Sequence, residues 1–321
     1  MRLHGTIDLH VRGERILRRA NLWDKLKTAF GAHADLDTLH VRAAFEATAV
    51  VDASHAALKR LGVTNAISLV IDDHSIFHDA QGRPDDLGDL FLAFHESAPV
   101  FGAGFSLLRL AAEHEEAGLH LVLEIVARTE HPVGEGAGRV VVSGRIRDLE
   151  PRKDEGAEAY RARIEPLLRD PLLLEAHRRQ FESFVARACE AIRSAMPEAR
   201  VEIRSAEAQI ERPAKRPRAN RDVHPPTDPR YDPYDRYYPD PFGGLYAALM
   251  WSAIGSMHMA PAFVIVDEIG DAIGHPGDDG EDGGGSDGSD GEGDGDDDDD
   301  DDGGDAGDDL DDFDGGDFGD Y

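Results

Sequence analysis

The amino-acid sequence predicts an α+β fold in which helices pack on a largely antiparallel sheet. Between residues 105 and 148, three consecutive stretches alternate apolar and polar residues and are joined by short connections, which is typical of an antiparallel meander. A long helical stretch with an apolar stripe follows at residues 172–196. Strands and helices come in runs, and this order favours α+β over a doubly wound parallel sheet.

Before the meander, the pattern predicts short strands and helices. Residues 3–11 alternate loosely like a strand, and residues 15–30 place apolar side chains near helical spacing. Residues 39–48 alternate cleanly and predict a half-buried strand. Asp52 can then cap a short helix that ends at Gly62.

A β-hairpin and a further helix are predicted next. Residues 66–71 are a compact β-type run, Asp72 and Asp73 form the turn, and residues 75–78 return as the partner strand. The amphipathic spacing of residues 86–97 predicts a helix. The elements expected after it are strands at 105–111, 119–127 and 140–146, helices at 158–168 and 172–196, and a last strand at 201–210.

Composition divides the chain into four parts. Residues 1–211 are the predicted α+β domain, and residues 212–241, first basic and then rich in Pro, Tyr and Asp, predict an extended linker. Residues 242–275 are predicted to form an apolar helix followed by a strand. Residues 276–321 are an acidic tail of Asp and Gly that is predicted to be disordered.

The stretch from Phe242 to Val266 has a second interpretation. Its 25 residues include no Asp, Glu, Lys or Arg, and this length can span a bilayer. Gly243, Gly244 and Pro261 interrupt it, and acidic residues flank it without an adjacent basic anchor. A buried helix followed by a strand is therefore the favoured prediction, and a membrane anchor is the alternative.

Charge is distributed very unevenly along the chain. Residues 276–321 hold 23 of the 65 acidic residues and no Lys or Arg, so that 42 acidic and 34 basic residues remain in the body. That balance disfavours general nucleic-acid binding. The single cysteine, Cys189, excludes an intrachain disulfide, and the beginning of the chain lacks the apolar stretch of a secretory signal, so we expect a cytoplasmic protein.

One cluster of residues suggests chemistry. Between Asp72 and Asp79, carboxylates and imidazoles lie close in sequence. His74, His78 and Asp79 are candidate catalytic residues, and Asp72, His74 and His78 are candidate metal ligands. The alternative is a polar hairpin tip, because no familiar metal-binding spacing is present. No nucleotide-binding motif is found, and no cofactor is predicted.

Other polar residues receive a simpler interpretation. Glu113, His114 and His120 lie near the turn predicted at residues 115–118, and we expect them to be solvated. Cys189 falls in the middle of a predicted helix beside the apolar stripe, which indicates a structural role and not a nucleophilic one.

The end of the tail carries a binding signal. Phe313, Phe318 and Tyr321 lie among acidic residues, and acidic segments with spaced aromatic residues can dock on basic surfaces. We therefore predict a non-enzymatic interaction protein whose tail engages a basic partner, with a solubilising brush as the alternative role of the tail. The other hypotheses are a membrane-associated protein anchored through residues 242–266 and a metal-dependent enzyme that uses residues 72–79.

Overall fold

Nine strands and five α-helices form most of the part described in the computed structural model, which comprises residues 1–11, 39–72, 74–79, 105–129, 138–152, 154–211, 231–238, 245–254, 263–266 and 272–274. The strands are β1 (Arg2–His10), β2 (Asn65–Ile71), β3 (His74–His78), β4 (Leu107–Glu116), β5 (Leu119–Arg128), β6 (Gly138–Ile146), β7 (Arg200–Glu211), β8 (Val264–Val266) and β9 (Ala272–Gly274). The helices are α1 (Leu39–Lys59), α2 (Ala157–Leu168), α3 (Pro171–Ala195), α4 (Pro233–Tyr237) and α5 (Leu245–Ile254), with a 3₁₀ turn at Arg147–Leu149.

All of these strands belong to one sheet, in the order β3-β2-β4-β5-β6-β1-β7-β8-β9. Every neighbouring pair from β3 to β7 is antiparallel, and β8 joins β7 in parallel. The predicted meander is confirmed, because Leu110 of β4 lies opposite Ile125 of β5, and Leu123 of β5 lies opposite Val142 of β6. The α+β class predicted from the sequence is therefore correct.

The two predicted hairpin turns are present. Ala117 and Gly118 connect β4 to β5, and their φ angles of 53° and 80° are those of a two-residue hairpin turn in which both residues are left-handed. Asp72, with φ of 50°, ends β2 and begins the return into β3. Aspartate tolerates this conformation better than most non-glycine residues.

Residues 39–48 form the beginning of a helix, and the prediction of a strand there is wrong. Helix α1 continues to Lys59, so Asp52 lies inside a helix instead of capping one. Three of the ten residues from 39 to 48 are alanine, the best helix former, which favours the helix over the strand that the alternation predicts. In the second half of α1 the side chains of Val51, Ser54, His55 and Leu58 are buried. They are three or four residues apart, as expected for one face of a helix.

Helices α1 and α3 cover one face of the sheet. Helix α3 begins at Pro171, and the Asp170 carboxylate accepts hydrogen bonds from the backbone N–H groups of Leu172 at 3.0 Å and Leu173 at 3.2 Å. The stripe predicted for this helix is buried in the core, with His177, Phe181, Phe184, Val185, Ala188 and Ile192 as members.

The chain beyond β7 contributes further elements to the same fold. Composition predicts an extended linker at 212–241, whereas residues 231–238 contain helix α4 and pack on the sheet. Strands β8 and β9 extend the sheet past β7, so β7 is not the last strand. Among the described residues, no helix is both long and apolar enough to cross a membrane.

Several predictions fall outside the described residues and stay predictions. They are the helices at 15–30 and 86–97, most of the linker at 212–241 and the disordered tail at 276–321.

Replacing Phe181 by alanine tests the packing of α3. Phe181 is fully buried, and truncating such a side chain costs about 3–5 kcal/mol of unfolding free energy. Leu172→Ala on the same helix is the control, since Leu172 is 79% exposed and its loss should change stability by less than about 0.5 kcal/mol. Urea denaturation followed by circular dichroism measures both variants, and equal losses would contradict this packing.

Candidate functional site

The sheet has a second face, opposite α1 and α3, that is polar. In β5, Leu121, Leu123 and Ile125 belong to the core, so strand alternation places His120 and Glu124 on the other side. Neighbouring strands place buried or half-buried polar side chains on the same side. We call this surface the polar face, and its members are His4, Arg109, His120, Glu124, Ser143 and Arg145.

A short segment covers part of the polar face. It comprises Tyr231–Tyr238, which we call the Tyr-Asp segment, and its helix α4 packs on β5 and β6. The Asp232 carboxylate accepts a hydrogen bond from the Tyr234 N–H at 2.9 Å, and Pro233 occupies the first helical position. Both residues favour the start of a helix, so the segment carries the local signal for its own turn.

The Asp232 carboxylate lies between two arginines. Its Oδ2 is 2.9 Å from Nη2 of Arg145 and 3.5 Å from Nε of Arg2. Burial alone would raise the pKa of Asp232, but attraction to Arg145 and Arg2 outweighs burial and holds the pKa well below its usual range. Arg145 also lies 2.8 Å from a carboxylate oxygen of Asp235 and 4.4 Å from the centre of the Tyr234 ring. One guanidinium therefore binds two carboxylates and one aromatic ring of the segment.

His120 is the centre of a second group of contacts. Its Nε2 lies 3.4 Å from Glu113, and its Nδ1 lies 2.8 Å from the Tyr234 hydroxyl and 3.7 Å from Glu150. The Tyr234 hydroxyl donates to Glu150, and the Tyr238 hydroxyl donates to the Glu113 carboxylate.

The charges of this group depend on one another. Burial alone would lower the pKa of His120, but its hydrogen bond to Glu113 and the attraction of the nearby Glu150 carboxylate raise the pKa to about 9. The hydrogen bond from His120 in turn lowers the pKa of Glu113 to about 2. At neutral pH the ring is therefore an imidazolium, which donates hydrogen bonds from both nitrogens.

Glu124 is fully buried at the centre of the polar face. Its Oε1 lies 3.3 Å from Nε of Arg109 and accepts a hydrogen bond from the Tyr237 hydroxyl at 3.1 Å. Burial raises the pKa of Glu124, and the nearby Arg109 opposes the shift. Burial and the neighbouring Glu124 carboxylate also raise the pKa values of Tyr231 and Tyr237, so both remain neutral phenols.

These contacts are suited to recognition of a peptide. Carboxylates of the Tyr-Asp segment meet arginines, and its phenol groups meet carboxylates or the imidazolium of His120. Such charge-assisted hydrogen bonds are directional and select their partner by geometry. Within the described ranges, no group of three or more His, Cys, Asp or Glu side chains is placed to hold a metal ion.

The candidate catalytic and metal-binding residues between Asp72 and Asp79 are not among the contacts of the Tyr-Asp segment described above. The Asp72 carboxylate accepts hydrogen bonds from the backbone N–H groups of Ser106 and Leu107, each at 2.9 Å, and so joins the β2–β3 turn to β4. His74 and His78 are exposed at the two ends of β3. The backbone N–H of Asp79 donates to Ile67 at 2.9 Å.

Strand β3 therefore does not bring its two histidines together. His74 lies opposite Ile71, and His78 lies opposite Ser68. The catalytic and metal-binding roles of these residues stay predictions. The predicted partner-binding residues Phe313, Phe318 and Tyr321 lie outside the described residues.

Sequence reasoning did not find the polar face. The expectation of a solvated turn residue is wrong for His120, which is 4% exposed. A signal for the site is present in the sequence, because His120 and Glu124 interrupt an otherwise apolar strand at positions that face away from the core. The repeated Tyr and Asp of the segment are the complementary signal.

Comparison with known protein families, with curated proteins and with solved structures gives no match. The function of the site is therefore inferred from its own contacts.

Breaking the buried Arg109–Glu124 pair should destabilise the fold. Arg109→Met leaves the Glu124 carboxylate without its cation, and loss of one partner of a buried pair costs about 3–5 kcal/mol. Adding Glu124→Gln should recover most of that loss, because no uncompensated charge remains. Urea denaturation of both single variants and the double variant gives the coupling energy, and strictly additive losses would show that the pair is not coupled.

Stability should fall at alkaline pH because of His120. The folded-state pKa of about 9 lies above the ordinary value of 6.5, so the stabilisation is complete below pH 6.5 and is lost as the pH rises through about 9. We expect the unfolding free energy to fall by about 1–3 kcal/mol across this range. The fall should disappear in His120→Gln. Urea titrations at several pH values test this, and a fall of the same size in the variant would refute the assignment to His120.

Proposed function

We propose that this protein is a non-enzymatic interaction protein that binds a basic partner through its acidic tail, residues 276–321. The observation that carries this proposal is the segregation of charge, with 23 acidic residues and no Lys or Arg in that part of the chain. Such a density of charge attracts a cationic surface over a long range. The aromatic residues Phe313, Phe318 and Tyr321 supply the apolar contacts that make such binding selective.

An interaction inside the folded domain supports the proposal. Asp232 and Asp235, together with the ring of Tyr234, bind the single guanidinium of Arg145. A carboxylate beside an aromatic ring is therefore an effective partner for arginine in this protein. The tail repeats this juxtaposition at Asp312-Phe313, Asp317-Phe318 and Asp320-Tyr321. On this basis the proposed partner presents arginine side chains.

The proposed location is the cytoplasm. The chain has one cysteine, and the buried Cys189 thiol donates a weak hydrogen bond to the Val201 carbonyl at 3.8 Å. Burial raises the pKa of this thiol, which keeps it protonated and unreactive. A protein without a disulfide is suited to a reducing compartment.

Changing the tail tests the proposed function. Tagged full-length protein should capture the same basic protein repeatedly, and this capture should weaken as salt rises from about 50 to about 300 mM. Combined Phe313→Ala, Phe318→Ala and Tyr321→Ala substitutions keep the charge of the tail unchanged. We expect them to reduce capture at least about tenfold, because each removes an anchor worth about 1 kcal/mol or more. Affinity capture with quantitative mass spectrometry measures the effect.

Two truncations complete this design. Removal of residues 308–321 should have the same effect as the aromatic substitutions, and removal of 276–321 should abolish capture. If all of these forms capture the same proteins equally, the tail is a solubilising brush and the proposed function is wrong.

A further inference from the structure

The Tyr-Asp segment occupies the polar face in the way that a bound peptide would. It contacts the sheet mainly through side chains, and its partners lie far away in sequence. Arg145 is 87 residues from Asp232, and His120 is 114 residues from Tyr234. The segment binds to the sheet face without adding a strand to it. Its position therefore depends on side-chain recognition.

The main core is independent of this segment. The large apolar cluster of the core includes buried residues of β1, β2, β4, β5, β6 and β7, and partly buried residues of β3 pack against it. None of residues 231–238 belongs to this cluster. Tyr234 packs instead in a separate small cluster with Ile67, Ala111 and Val122. Apolar burial provides most of the stability of a fold. Release of the segment would therefore leave the principal source of stability in place.

Release of the segment would also leave charged side chains of the polar face without their present partners. Arg2 and Arg145 would lose the Asp232 carboxylate, and an uncompensated guanidinium in a partly buried site is unfavourable. Glu124 and Glu150 would lose the phenol hydroxyl groups that donate to them. The ligand that satisfies this surface carries a carboxylate and, close to it, phenol groups.

We propose that the polar face is a recognition site for an acidic, tyrosine-containing peptide of another protein, and that the Tyr-Asp segment is its built-in competitor. The carboxylate of the peptide binds between Arg2 and Arg145, in the place of Asp232. A tyrosine two positions later places its hydroxyl beside His120 and Glu150, in the place of Tyr234. The segment thus indicates the sequence that the site accepts, which is Asp-Pro-Tyr-Asp.

A short peptide with this sequence can bind in the same shape, because the residues that form the turn lie within the peptide itself. The aspartate cap and the proline at the first helical position restrict the free peptide towards the bound shape, which lowers the entropy lost on binding. The covalently attached segment competes at a high effective concentration, in the millimolar range for flexible tethers. A peptide added to the unmodified protein should therefore bind weakly, and weakening the segment should strengthen binding.

Fluorescence anisotropy with a labelled peptide of residues 229–240 tests the proposal. The receptor is the full-length chain with Asp232→Asn and Asp235→Asn, which removes both carboxylates from the competitor and keeps its shape. We expect the peptide to bind this variant at least about tenfold more tightly than the unmodified chain. A control peptide with asparagine in place of the first aspartate should bind the variant at least about tenfold more weakly. Equal affinity in either comparison overturns the proposal.

A second measurement on the unmodified chain does not depend on any variant. If the segment can leave the polar face, the N–H of Tyr238, which donates to the Tyr234 carbonyl at 2.8 Å, should open without unfolding of the sheet. Hydrogen exchange followed by mass spectrometry should then show opening of residues 231–238 at least about a hundredfold more often than opening of β5. Exchange of both at the rate of global unfolding overturns the proposal.

Discussion

The pairing of Arg145 with Asp232 is the interaction on which the polar half of this structure depends. Arg145 projects from the middle of a sheet and is partly covered, so its charge needs a counter-ion close by. Asp232 supplies that charge, and through its capping of α4 it also fixes the turn that brings Tyr234 onto the same guanidinium. The ion pair between Arg145 of β6 and Asp232 thus helps to position the whole Tyr-Asp segment.

The two faces of the sheet are stabilised by different physics. Beneath α1 and α3, side chains such as Phe181 and Leu123 are held by apolar burial, which has no preferred direction. On the polar face, most of the contacts with the Tyr-Asp segment join charged or hydroxyl groups, beside one small apolar cluster around Tyr234. Apolar burial on the first face supplies most of the stability of the fold, and the charged contacts on the second face hold the Tyr-Asp segment in place.

The groups on the polar face are also connected. The Tyr234 ring lies over Arg145, and its hydroxyl contacts both His120 and Glu150. The Tyr234 side chain therefore links Arg145 to His120, because it contacts both. Two histidines of the same face differ strongly in pKa because their charged neighbours differ. The pKa of His4 is lowered to about 4, first by burial and then by Arg2, whereas His120, held by two glutamates, is an imidazolium.

Local patterns in the sequence predicted the parts of the fold that local forces determine. The meander, the hairpin at Asp72 and the stripe of α3 follow from side-chain periodicity and turn chemistry, and all three are present. The clean alternation at residues 39–48 predicted a strand, but three of these ten residues are alanine, the best helix former, and the stretch is helical. The Tyr-Asp segment has the composition of a linker, and its order comes from partners about a hundred residues away, which no local pattern reveals.

The place of the Tyr-Asp segment late in the chain has a consequence for protein synthesis. Strands β1 to β6 are made well before residues 231–238, and domains generally begin to fold from their N-terminal part during translation. Arg2 and Arg145 are therefore synthesised before Asp232, the carboxylate that neutralises them in the folded chain. The arginine pair thus gains its counter-charge only late in synthesis, when the chain has reached residue 232.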